Sequence, residues 1–354
     1  MPKTYNNLWQ NIYPFDSLYK AYLMARKGKK GKRFYRDVLE YGQNLEENII
    51  TTQNELIWKT WGPAPSRQFL VREPKKRLIT APAFKDRVVH HALVAVVEPL
   101  FEKKFITHSF ACRLGRGTHA TGQSVLSTLQ KRTASWPQVW VLQTDISQYF
   151  ASINHDILMS ILGRTIRDKN VLWLFNQIIR NSGFDGVGIP VGALTSQLCA
   201  NIYLNQLDHY LVDELGLTPY IRYMDDTLTF APNREYLCDV YEAIKYYAET
   251  KLLLKLNPKS RIYKASQGID FCGYRTWAGH VLPRKRNVKR MRRRMKKLCK
   301  MYRCGAIPAE NVRAAWASFL GYMKHCNGYT TKLAIWQELN EILREGKSND
   351  IIVA

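Results

Sequence analysis

Tyr220-Ile221-Arg222-Tyr223-Met224-Asp225-Asp226-Thr227-Leu228-Thr229-Phe230-Ala231 is an apolar run with two adjacent acids at its centre. The pattern alternates on both sides, with Ile221 and Tyr223 before the acids and Leu228 and Phe230 after them. Alternation at period two predicts strands, and a polar pair between two such strands predicts a hairpin turn at Asp225-Asp226. Carboxylates in such a place are costly to bury unless a cation or partner compensates them. The plain alternative is a solvated turn.

A second segment shifts that balance. Val139-Trp140-Val141-Leu142-Gln143-Thr144-Asp145 reads as a strand ending on another acid, with Tyr149-Phe150 just beyond. If the two strands are neighbours, Asp145 stands beside Asp225 in an all-oxygen site suited to Mg²⁺. Two such ions would activate an attacking hydroxyl and stabilise a leaving phosphate. Nucleotidyl transfer on nucleic acid is the chemistry that fits.

Farther out, residues 15–56 read as helical, with a break at Gly28 and Gly31 inside the basic cluster Arg26–Arg36. Residues 67–81 read as a basic hairpin turning at Pro74-Lys75-Lys76, followed by a helix from about Arg87 to Lys103, stopped near Pro99. Helices are predicted at Thr118–Arg132, His155–Gly163, Lys169–Arg180, Leu194–Glu214 and from Asn233 to Leu253, and short strands at Leu256–Leu282. Beyond Pro283 the chain becomes helical. There Val288, Met291, Met295 and Leu298 recur at three and four spacings within a stretch, 284–300, that holds 11 basic residues and no acid.

The 354-residue chain carries 53 Lys and Arg against 29 Asp and Glu, a net +24, yet 12% of it is aromatic. Disordered basic tails lack such aromatic content, so a folded protein with a polyanionic partner is expected. The charge is unevenly divided: net +13 over residues 1–144, −1 over 145–283 and +12 over 284–354. Two basic flanks thus enclose a neutral centre that holds the acids. Seven widely spaced cysteines without a CxxC suggest packed, reduced thiols. No signal segment and no membrane-length apolar run stand out, so a soluble intracellular protein is expected.

Tyr223-Met224-Asp225-Asp226 matches the YxDD box of reverse transcriptases. Thr144-Asp145-Ile146-Ser147-Gln148-Tyr149-Phe150 with Ile153-Asn154-His155 resembles the first palm motif of bacterial enzymes related to group II intron reverse transcriptases. Lys76-Arg77-Leu78-Ile79 and Asp86-Arg87-Val88-Val89-His90-His91-Ala92 resemble their fingers motifs. Leu256-Asn257-Pro258-Lys259 and Phe271-Cys272-Gly273-Tyr274 fill the two positions after the catalytic box. The ordered matches run over about residues 70–280.

The resemblance implies an α+β right-hand polymerase fold with fingers, an antiparallel-sheet palm and a helical thumb. Residues 1–144 would be an N-terminal helical region and fingers, which also take part of 160–192. Residues 145–283 would be mainly palm, 284–346 a basic helical thumb, and 347–354 a tail. Asp145 and Asp225, with the Ile146 carbonyl, would ligate two Mg²⁺ (Mn²⁺ as substitute), and Asp226 would be a third, less direct acid. Phe150 would gate the sugar and favour deoxynucleotides. Lys75, Lys76 and Arg77 would grip the incoming triphosphate. Arg87 would bind template or hold the fingers together. Arg286, Lys289, Arg290, Arg293 and Lys297 would contact template and product from the thumb.

One segment departs from the common pattern. In Ile189-Pro190-Val191-Gly192-Ala193-Leu194-Thr195-Ser196-Gln197, Val191 stands where most reverse transcriptases carry Gln, and Gln197 where they carry Pro. This resembles the reverse transcriptases of diversity-generating retroelements, which copy a template-repeat RNA with errors at adenines. Val191, Gly192 and Gln197 would then lie against the dNTP and relax fidelity. That resemblance also implies a basic, oligomeric accessory variability protein, no membrane partner, and a cytoplasmic setting in a bacterium, expressed there from the chromosome, a phage or another mobile element. The alternatives are a generic intron-, retron- or defence-associated reverse transcriptase, and a non-catalytic RNA-binding scaffold with a palm fold.

Overall fold

A computed structural model describes residues 3–28, 35–72 and 76–344. Three helices come first: α1 (Phe15–Arg26), α2 (Tyr35–Gln43) and α3 (Leu45–Ile57). The predicted break between helices falls after α1, although Gly31 and most of the basic cluster lie outside the described residues. The basic hairpin forms from β1 (Arg67–Val71) and β2 (Arg77–Ala81), antiparallel, with Val71 opposite Arg77; its turn also lies outside the described residues.

Helix α4 (Phe84–Glu102) is buried along most of its length, with Val88, Val89, Leu93 and Val97 fully buried and Lys85, Ala95 and Pro99 exposed. It continues through Pro99 and ends at Glu102, one residue short of the expected Lys103. Only one more turn follows the proline, so a single lost N–H bond is outweighed by burial of Phe101. Helix α5 (Thr118–Ser135) leads into β3 (Trp140–Thr144), which ends immediately before Asp145.

Next come α6 (Tyr149–Ser152), α7 (His155–Gly163), α8 (Lys169–Arg180) and α9 (Leu194–His209). The Asp168 carboxylate caps α8 by accepting from the Asn170 and Val171 amides, and it also accepts from Leu8 and Trp9. That one side chain fastens the N-terminal segment to α8. The helix predicted to run to Glu214 ends its α-helical course at His209 and finishes in a wider turn, Tyr210–Glu214.

The acidic hairpin is β4 (Tyr220–Tyr223) and β5 (Asp226–Ala231). Its turn is Met224-Asp225, one residue earlier than predicted, with Met224 in the left-handed region at φ 57°. Asp226 therefore opens β5 instead of sharing the turn. Helix α10 (Arg234–Lys251) starts at Asn233, whose Oδ1 accepts from the Tyr236 amide, as a capping residue does. β6 (Arg261–Lys264) completes a four-stranded sheet of order β4-β5-β3-β6.

A three-stranded antiparallel sheet of β7 (Ile269–Phe271), β8 (Tyr274–Thr276) and β9 (Val281–Pro283) follows. Last come α11 (Lys285–Arg303), α12 (Ala309–Met323) and α13 (Tyr329–Arg344). The architecture is mixed α/β.

Two compact units are distinguished. One comprises Met1–Arg113, Gln143–Thr227 and Cys238–Arg261; the other comprises Leu114–Leu142, Leu228–Leu237 and Ile262–Ala354. In the first, α1 lies along α4, and α4 also packs on α9. In the second, α11, α12 and α13 enclose a core of Met295, Cys299, Val312, Phe319, Ile335 and Leu339. The apolar stripe predicted on the basic helix packs there, with Val288, Met291 and Leu298 at its edge. As expected of mostly packed thiols, Cys199 and Cys299 are buried and Cys238, Cys272 and Cys326 half-buried, whereas Cys112 and Cys304 are exposed. No described helix is long and apolar enough to cross a membrane.

Candidate active site

The turn that carries Asp225 hangs on a buried ion pair. Arg222, in β4, and Asp208, in α9, are both wholly inaccessible to solvent. The guanidinium gives Nε to Asp208 at 2.8 Å and Nη2 at 2.6 Å, and the Tyr220 hydroxyl donates to the same carboxylate at 2.9 Å. Its remaining nitrogen, Nη1, donates to the Met224 carbonyl at 3.1 Å and to Asn201 Oδ1 at 3.2 Å. The backbone of Arg222 is tied as well, its amide to His108 and its carbonyl to the Phe110 amide. An arginine inside an apolar strand was the one sequence signal for this anchor; its partner Asp208 carried none.

Asp145 is held from another direction. Asn257 donates its amide N–H to the Asp145 carbonyl at 2.7 Å and Nδ2 to the Asp145 carboxylate at 2.8 Å. Ser147 N–H meets the Lys255 carbonyl, so Ile146 and Leu256 form a bridge. The Thr144 and Thr227 hydroxyls, 2.6 Å apart, link the end of β3 to the start of β5. The Asp145 and Asp225 carboxyls thereby meet within hydrogen-bonding reach.

The Asp225 carboxyl is pushed up to about 6, first by burial and then by the negative charge of Asp145. Arg77 opposes the rise, so its guanidinium acts on the same carboxyl. Two oxygen acids forced together at electrostatic cost, beside the Ile146 carbonyl, form a donor set that fits a hard divalent cation. Among the described residues, no group of three or more His, Cys, Asp or Glu side chains converges on one point.

The loop after α8 joins this site to the β1–β2 hairpin. The Thr80 amide, in β2, donates to the Val191 carbonyl at 3.0 Å. Gly192 (φ 126°) passes so close that a Cβ would lie 2.9 Å from Ile79 Cγ2 and 3.2 Å from the Thr80 carbonyl oxygen. Any side chain there would push β2 away. Phe150, half-buried in α6, accepts from the Ile189 amide at 2.8 Å. Gln197 lies exposed on α9 between buried Ser196 and Leu198. Phe150, Val191, Gly192 and β2 are thus connected, an arrangement that spacing along the chain could not reveal.

Other expected site residues divide. Lys76 is exposed and Lys75 lies outside the described residues. Arg87 is half-buried and donates Nε to the Pro82 carbonyl at 2.9 Å, which bolts α4 to the chain entering it. On α11, in the second unit, Arg286, Lys289, Arg293 and Lys297 are exposed and Arg290 is half-buried. Arg292 and Lys296 on the same helix are instead claimed by Glu338 of α13, Arg292 Nη2 at 2.8 Å. The two cations hold the Glu338 carboxyl down at about 2, the Arg292 hydrogen bond leading.

A strand-end acid beside a hairpin-turn acid, opposed by an arginine from a basic hairpin, is an arrangement able to hold a divalent cation next to a phosphate. Residues 70–276 match the model of the reverse transcriptase (RNA-dependent DNA polymerase) family, and the chain belongs to that family. Protein YkfC of Escherichia coli is 26% identical over 65% of the chain and 71% of its own length. The group II intron-encoded protein LtrA of Lactococcus lactis is 25% identical over 59% of the chain, a match spanning only 36% of that protein. Among solved structures, apo telomerase from Candida tropicalis shares the fold with a TM-score of 0.51 at 12% identity, over 86% of this chain and 64% of that one.

Proposed function

We propose that this chain is an RNA-directed DNA polymerase that extends a primer on template RNA with dNTPs. The observation that carries the reading is the contact of Asp145 with Asp225, under the field of Arg77, inside the family-matched region. The fingers, palm and thumb at 1–144, 145–283 and 284–346 belong to this reading. So do the roles that follow.

Asp145, Asp225 and the Ile146 carbonyl would hold two Mg²⁺ ions, with Asp226 as the outer acid; Mn²⁺ would substitute. Bound there, such ions would activate the primer 3′-hydroxyl and stabilise the departing pyrophosphate. Arg77, with Lys75 and Lys76, meets the triphosphate, whose leaving part gains negative charge. Phe150 packs under the sugar and excludes a 2′-hydroxyl. Asn257 keeps the Asp145 carboxylate in one orientation, and Arg222 keeps the Met224-Asp225 turn in place.

Template and product would lie along the exposed α11 stripe, a sequence-blind phosphate contact. Neutralising Arg290, Arg293 and Lys297 together is expected to reduce the slope of log affinity against log salt by about 2 to 3. Neutralising Arg292 and Lys296 leaves that slope unchanged, because Glu338 already occupies them. Equal slopes for the two variants would remove the stripe from the nucleic-acid surface.

The intron-encoded relatives support the general polymerase reading. Error-prone copying for a diversity-generating retroelement, with an accessory variability protein, rests on the Val191 and Gln197 departure. Val191 offers the nascent pair apolar contact where a Gln would offer hydrogen bonds. The deciding experiment is dNTP incorporation on supplied RNA with Mg²⁺, followed by product sequencing for the wild type and Val191→Gln. No synthesis by the wild type, alone or with a basic accessory protein, defeats the polymerase reading. An adenine-biased error spectrum that narrows in the variant supports the second reading; an unbiased or unchanged spectrum removes Val191 from fidelity.

A further inference from the structure

Phe184 is a large apolar side chain that the fold itself does not use: it is 89% exposed. Single exposed apolar residues are ordinary. Its setting is not. Phe184 and Val187 exchange backbone hydrogen bonds at 2.9 and 3.0 Å around the turn Asp185-Gly186. The turn is bolted down, the His155 amide donating to the Gly186 carbonyl and the Gly188 amide to the Ile153 carbonyl. At Gly183 a Cβ would lie 2.1 Å from the Val187 carbonyl oxygen, so the loop closes on itself without room for a side chain. The ring is therefore displayed by a braced loop.

Phe184 also lines a cavity of about 830 Å³, within the range of small-molecule sites, roughly 300–1,000 Å³. The same cavity is lined by Phe150 and Val191, the residues placed at the nascent base pair, and by Gln68, Leu78 and Thr80 of the hairpin. Its ionisable lining side chains are Asp86 and His90, both buried. Burial pushes the Asp86 carboxyl up to about 6 and the His90 imidazole down to about 3. Such a wall suits a nucleobase and not a phosphate.

The strand register says which base. Side chains alternate along β2, so Leu78 and Thr80 face the cavity while Arg77 and Ile79 lie on the opposite side. Arg77 acts on Asp225, which puts the triphosphate on that opposite side. The cavity side is left for the template strand. We infer that Phe184 is a stacking platform for the first unpaired template base beyond the one being copied, guiding it along the cavity toward Phe150 and Val191. The inference rests on the polymerase reading and names a positioning residue within it.

The test uses primed template carrying 2-aminopurine at that first unpaired position, bound to full-length protein without dNTP. Stacking on an aromatic ring quenches the probe. Quenching is expected with the wild type and with Phe184→Trp, and its loss with Phe184→Ala. Affinity for templates with two or more unpaired nucleotides should fall roughly tenfold in Phe184→Ala. Trp58→Ala, which removes an exposed aromatic from the end of α3, is the control and should leave both readings unchanged. Quenching and affinity that ignore Phe184 overturn the inference, and point to a protein partner as the ring's occupant. Incorporation of one dNTP by the wild type opposite a single unpaired template nucleotide tests the polymerase reading separately, since that substrate has no base to stack on Phe184.

Discussion

Asp225→Asn abolishes RNA-templated DNA synthesis, by at least about a thousandfold, and at the same time makes the metal-free protein more stable at pH 7. Both effects come from one cause. Burial and the neighbouring Asp145 charge lift the Asp225 carboxyl from 3.8 to about 6, so the ionised form is held at a cost in the folded chain. A carboxyl raised in this way costs nothing below its unfolded value near 3.8. The cost grows as pH climbs to about 6 and is complete above that. Asparagine keeps the shape and drops the charge. After allowance for partial exposure, the gain is about 1–2 kcal/mol at pH 7 and vanishes near pH 4.

Thermal unfolding in a chelator at pH 4 and pH 7 measures it. A variant no more stable than the wild type at pH 7 would show that the two acids carry no electrostatic strain. Added Mn²⁺ should raise the wild-type melting temperature more than that of Asp225→Asn, because only the intact pair gains a counter-ion. Undiminished synthesis by the variant would instead remove Asp225 from the chemistry.

Asp208→Ala has the largest expected effect on folding, a loss of about 3–5 kcal/mol. Asp208 and Arg222 are wholly enclosed, and removing the acid strands a guanidinium that has no route to water. The double variant Asp208→Leu with Arg222→Met should recover much of that loss, since an apolar pair of similar volume needs no desolvation of charge. Denaturant unfolding of the single and double variants provides the comparison. A single variant within about 1 kcal/mol of wild type would mean that the pair is not closed off from solvent. The double variant should nevertheless remain poor in synthesis, because Nη1 of Arg222 no longer steadies the Met224 carbonyl before Asp225.

Local pattern was a good guide where local forces dominate. The period-two runs became β3, β4 and β5, and α7 and α8 fell on the predicted boundaries, which the structure shows capped by Asn154 and Asp168. It failed by one residue at the hairpin, because a turn is chosen by how its backbone is held, as by the Arg222 guanidinium on the Met224 carbonyl, and not by which residues are polar. The basic run at 284–300 does not say which of its cations are engaged; Glu338, far along the chain, takes Arg292 and Lys296.

The sequence by itself determined the family and the identity of the acids, since the YxDD box and its ordered companions are strings of residue types at fixed spacing. It also placed those acids in a neutral stretch between two basic ones. Only the tertiary structure decided that Asp145 and Asp225 touch, that Asn257 and Arg222 hold them, and that Thr80 ties the Val191 loop to the strand of Arg77. Spacing records which chemistry is present along one dimension. Which groups share a charge, a hydrogen bond or a cavity depends on contacts across a hundred residues or more, as between Asp145 and Asn257, and only the packed chain brings those ends together.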